Sequence, residues 1–138
     1  MNYTCRKEKH VETLEFLLET LAEREGEKWE RCAGLIAYNI IDGLSYYDGC
    51  EDRIREAIGV YAKQHAKEAL LLADHVMQMS EVWQLEADAV VKLEKVWVPL
   101  LPTCYAAALP WNRIALQKMV REWQTRGWFR ESHVQCAC

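Results

Sequence analysis

Arg113-Ile-Ala-Leu-Gln-Lys-Met-Val-Arg-Glu-Trp-Gln-Thr-Arg-Gly-Trp-Phe129 is the stretch from which the fold can be read. Leu116, Val120 and Trp123 recur at the three-to-four-residue spacing of one helical face. Arg113, Gln117 and Arg121 form an i, i+4, i+8 row facing outward, with Lys118 beside it. This spacing predicts an amphipathic helix from Arg113 to Gln124 that is basic on its outer side and runs into a glycine and an aromatic pair. Just upstream, Leu93-Glu-Lys-Val-Trp-Val-Pro-Leu-Leu-Pro-Thr-Cys104 reads as a helix stopped by proline and followed by a short loop.

Toward the N-terminus the same periodicity continues. No proline precedes Pro99, and β-branched residues are scattered rather than alternating with polar ones, so helix is expected throughout. Val11, Leu14, Leu17, Leu18 and Leu21 mark a first helix ending near Glu25-Gly26-Glu27. Trp29, Cys32, Leu35, Ile36, Tyr38, Ile40 and Leu44 mark a second, apolar around most of its circumference and therefore expected to be central. After the turn Tyr47–Asp52, a third helix carries Ile54, Ile58, Tyr61 and Ala62. Lys63 to Ser80 predicts another, broken near His65, and Val82 to Val98 one more, before Pro99, Pro102 and Pro110 punctuate a loop region. The expected architecture is a single all-α domain over residues 1–138, with six or seven helices in a compact bundle or solenoid. Gly34, Gly43 and Gly59, lying inside helices, are expected to mark close helix–helix approach.

Hydrophobic residues at 51% and charged residues at 28% argue against disorder. The net charge of −4 is unevenly spread: Trp111 to Glu131 holds five basic and two acidic residues, so this segment is +3 and the remainder −7. An anionic partner should therefore meet the last helix, while the acidic remainder argues against nucleic acid as the main ligand. The polar N-terminus shows no signal peptide, and the longest apolar run, Ala69-Leu-Leu-Leu-Ala73, is far short of the roughly 20 residues of a membrane span. Six widely spaced cysteines beside a large apolar complement are expected to be reduced thiols of an intracellular protein.

Signals for catalysis are weak. His133, Cys136 and Cys138 could supply soft metal ligands, but a structural zinc site needs a fourth, from Cys5 or Cys104, and a frayed tail is the simpler reading. Glu12, Glu15, Glu19 and Glu23 fit a magnesium-binding helix, and fit a solvated face more simply. No phosphate-cradling glycine loop or activated Ser or Cys is apparent. No catalytic residue, metal or cofactor is assigned. Most of the six tryptophans are expected in the core, with Trp123 and Trp128-Phe129 set apart as candidates for ligand stacking. The basic row has a bland reading too: a solvated face paired with the chain's excess glutamates.

Lys95-Val-Trp-Val-Pro99, the loop through Cys104, and Ile114-x-x-x-Lys118-x-x-x-x-Trp123-x-x-x-Gly127-x-Phe129 resemble the C-terminal helices of the RNA polymerase II CTD-interacting domains. Ile54 to Met77 looks like that family's second and third helices. The resemblance covers about half of the chain. It implies a right-handed superhelix and a non-catalytic adaptor that binds a phosphorylated heptad peptide and links transcription to RNA processing, which would make the protein nuclear. Lys118 takes the position that meets the phosphoserine, with Arg121 and Arg113 nearby. The family's turn-fixing aspartate, on a central fourth helix, falls on Asp88 by chain order or Asp42 by local sequence. The alternatives are a helical structural subunit or homo-oligomer, a Bcl-2-like adaptor, and a metal-dependent all-α hydrolase.

Overall fold

The computed structural model describes residues 3–47, 49–110 and 112–129, with side chains from residue 6 onward. His133, Cys136, Cys138 and Trp111 lie outside the described residues, as does the side chain of Cys5. Seven helices run through them, with no strand among them: α1 Tyr3–Leu21, α2 Gly26–Tyr46, α3 Glu51–Ala62, α4 Ala66–Val82, α5 Ala87–Trp97, α6 Leu101–Ala108 and α7 Arg113–Thr125.

The helices stack by alternation. In one layer α1 packs on α3 and α3 on α5; in the other α2 packs on α4 and α4 on α6. Contacts of α1 with α2, α3 with α4 and α2 with α5 join the layers. Such stacking makes a compact all-α bundle in which alternate helices share a layer. Helices α2 and α4 run parallel, since Trp29 meets His75 and, further along both, Tyr38 meets Trp83. Leu70, Leu72, Ala73 and Val76 of α4 are fully buried, and α2, α3 and α6 all pack against this helix. It is the centre of the molecule. Across the layers, Trp29 donates its indole N–H to the Tyr61 hydroxyl at 3.3 Å, and burial pushes the Tyr61 pKa up to about 12.

Two boundaries differ from expectation. The break expected between Ser80 and Val82 is present but falls later, between α4 and α5, where Gln84 adopts a left-handed φ of 51° and the Leu85 N–H returns to the Ser80 carbonyl. Glycine is the usual residue for that cap, so glutamine hides it from sequence reading. Part of the proline-punctuated loop is the short helix α6, which tolerates Pro102 because a first-turn residue needs no N–H bond. At His65 the expected break is real: this residue is the N-cap of α4. The glycines divide. Gly43 lies against the His10 ring, whose Nε2–H donates to the Asn39 carbonyl at 2.7 Å, and Gly59 faces Leu100. Gly34 has open space where a Cβ would go, so close packing is not its reason. Helix α2 is central as expected, packing on α1, α4 and α5, although Leu35 and Tyr38 on it stay exposed.

Candidate ligand-binding surface

Helix α7 begins with a made cap: the Asn112 side chain accepts from the Ala115 N–H at 3.0 Å. Its inner face, Leu116, Val120 and Trp123, is buried, as the periodicity predicts. At the other end Gly127 takes a φ of 93° and the Trp128 N–H bonds the Trp123 carbonyl at 2.9 Å, which is a Schellman closure. That turn folds Trp128 and Phe129 back beside Trp123, with the Trp123 and Phe129 rings edge to face at 5.7 Å. Trp123, Trp128 and Phe129 are therefore core residues and not ligand-stacking ones.

Both indoles at the end of α7 are held by carboxylates of α4. Trp123 Nε1 donates to Asp74 Oδ1 at 2.8 Å, and Trp128 Nε1 to Glu81 Oε1 at 3.1 Å. Arg126 adds an ion pair to Glu81 at 3.6 Å. Asp74 and Glu81 are seven residues apart, two turns on one face of α4. Two such points fix where α7 lies and how it is turned. The second oxygen of Asp74 accepts from Gln78 at 2.6 Å, and the carboxylate is half-buried.

The outer side of α7 carries Arg113, Lys118 and Arg121, all exposed, beside Ile114, which is 80% exposed. Among the described residues none of these three cations is ion-paired, although Glu122 lies at i+4 from Lys118. The reading in which surplus glutamates neutralise this face does not hold for the described residues. Lys118 lies about 140° round the helix from Trp123, at 100° per residue, so it points away from α4. Lys118 and Asp74 consequently lie on opposite sides of α7 rather than side by side.

Neither aspartate singled out in the sequence lies on the fourth helix. Asp42 is on α2 and Asp88 in the first turn of α5. The fourth helix carries Asp74 instead. Its sequence signal is a carboxylate embedded in the apolar run Leu70-Leu-Leu-Ala-Asp-His-Val76, where a charge needs a partner. Asp88 lines a cleft of about 430 Å³ with Tyr46 and Trp83, and Asp42 lies on the α2 row between Tyr38 and Tyr46. Sequence reading overlooked these aromatics, since Tyr38 passes for core on an apolar helix.

Among the described residues no group of three His, Cys, Asp or Glu side chains is arranged to hold a metal ion, and Glu12, Glu15, Glu19 and Glu23 are all exposed. Cys32, Cys50 and Cys104 are buried free thiols, and burial raises the pKa of each. No described helix is long and apolar enough to cross a membrane. No family model, curated protein or solved structure matches the chain.

Proposed function

We propose that the protein is a non-catalytic peptide-binding module whose outer α7 face reads a phosphorylated segment, in the manner of the CTD-interacting domains that its C-terminal sequence resembles. The unpaired cations Arg113, Lys118 and Arg121 carry this reading. An unneutralised row in a chain of net charge −4 favours an anionic ligand. Lys118 supplies a compact ammonium to the phosphate, and Arg121 and Arg113 supply planar guanidinium groups that bond two oxygens at once. Ile114 offers the adjoining apolar contact.

In the resembled family an aspartate of the fourth helix fixes the peptide turn, and here that helix carries Asp74. Each of its oxygens accepts one bond within the protein and keeps a lone pair for a peptide N–H or hydroxyl. The path round the outside of a helix roughly 10 Å wide is about 16 Å, which about five extended residues span at about 3.3 Å each. A heptad-length peptide therefore reaches from Asp74 to Lys118.

Fluorescence polarisation with phosphorylated and unphosphorylated heptad-repeat peptides tests the proposal. Tighter binding of the phosphorylated form is expected, with the preference lost in Lys118→Ala and both forms weakened in Asp74→Asn. Equal binding of the two peptides, no binding, or full retention of the preference by Lys118→Ala would refute it.

A further inference from the structure

The corner where α2, α4 and α5 meet has features the phosphopeptide reading does not use. Three large aromatics stand in solvent there: Tyr38 is 52% exposed, Tyr46 71% and Trp83 45%. Tyr38 and Trp83 meet edge to face at 5.3 Å, so the Trp83 indole is braced from one side and open on the other. Monomers rarely leave such rings uncovered in a group unless something binds them.

Carboxylates surround the rings. Asp42 lies between Tyr38 and Tyr46 on the α2 row, while Glu86 and Asp88 line the same cleft as Tyr46 and Trp83. None of the three makes a side-chain hydrogen bond or ion pair with another described residue. Glu86 occupies the N-cap position of α5 but forms no side-chain cap bond, so its oxygens are open to a ligand. Lys92, the cation in the cleft, donates to the Leu44 carbonyl at 3.2 Å. The balance at this corner is negative.

The cleft is walled by the last turn of α2, the end of α4 and the start of α5, and the row Tyr38, Asp42, Tyr46 continues it along about 12 Å of α2. A docked helix needs a continuous apolar trough, and here Asp42 interrupts the rings on α2 while Glu86 and Asp88 face them from α5. A short extended segment fits. Among side chains, arginine suits both components: its flat guanidinium lies on an indole or phenol face and forks two N–H groups onto a carboxylate.

We infer that the corner formed by Tyr38, Tyr46, Trp83, Asp42, Glu86 and Asp88 is a docking site for an extended, arginine-bearing peptide segment of a partner protein. Charge complementarity and the open aromatic faces select the occupant. The site is separate from the basic face of α7, because Trp83 lies nine residues beyond Asp74, about 13 Å along α4.

The test uses an eight-residue Gly/Ser peptide with two arginines, and versions with lysine or glutamine in their place. The Trp83 indole N–H resonance, assigned through Trp83→Phe, is followed during titration of the full chain. Arginine should bind more tightly than lysine, and glutamine should leave the resonance in place. Glu86→Gln with Asp88→Asn should weaken the arginine peptide by about tenfold, as should Trp83→Leu, whereas Lys118→Ala should leave it unchanged. Three results would overturn the inference: equal shifts with the glutamine peptide, which would make this a plain apolar patch; arginine binding insensitive to the carboxylate changes; or self-association abolished by Trp83→Leu, which would put a second copy there. Because the probe carries no phosphate, its failure leaves the α7 reading standing, and failure of the heptad peptide leaves this one standing.

Discussion

A missing side chain has opposite meanings at two glycines of α2. At Gly43 a Cβ would sit 2.6 Å from His10 Nε2, inside contact distance with a ring that is itself bonded to the Asn39 carbonyl. At Gly34 nothing lies within 4 Å of the added atom. Gly43→Ala should therefore cost about 1–3 kcal/mol through overpacking, while Gly34→Ala should stabilise by up to about 1 kcal/mol through helix propensity. Urea melts of the two variants check the signs. Asp74 makes a similar contrast between side chains. Asp74→Ala strands the Trp123 indole N–H in a buried seam and should cost about 1–3 kcal/mol. Asp74→Asn keeps an acceptor and should lose clearly less. Equal losses would mean that the bond contributes little and that packing alone holds Trp123.

Between elements, two contacts have measurable consequences. Tyr61 of α3 receives the Trp29 N–H of α2, and its pKa of about 12 exceeds the unfolded value near 10. Between those limits the unfolded chain gives up this proton first, so stability is intact below about pH 10 and falls as pH rises toward 12. The loss amounts to about 2–3 kcal/mol. The buried thiols titrate in the alkaline range too, so the test is the difference between wild type and Tyr61→Phe, which should narrow across that window. At α7 the second attachment is Glu81. Glu81→Ala leaves the Trp128 N–H without its acceptor and frees the helix to pivot about Asp74, at a cost of about 1 kcal/mol. Glu81→Gln keeps the acceptor and gives up only a long, exposed pair with Arg126, which contributes little. Amide exchange along α7 should accelerate in the alanine variant and stay near wild type in the glutamine one.

On the scale of the whole molecule, periodicity revealed what repeats and missed what depends on a single residue or a distant one. The faces of α1, α3 and α7 were legible because each buries residues three and four apart. The place of the break at Gln84 was not, since a left-handed cap there uses a residue with no preference for it. The outward row of α7 was legible for the same reason as its inner face, whereas Asp74 matters through Trp123, 49 residues away, a meeting no local pattern encodes. The thiols were a third case: wide spacing and a large core implied reduced cysteines, and Cys32, Cys50 and Cys104 are indeed free, on three different parts of the fold. Their burial and raised pKa values leave little reactive thiolate near neutral pH. These three should react with a thiol reagent only through opening of the α-helical stack. In the native protein their labelling rate should follow the unfolding equilibrium, and denaturant should release all three together. Staggered release would show instead that the layers open separately, with Cys50 and Cys104 protected by different contacts than Cys32, and that the molecule is not one cooperative unit.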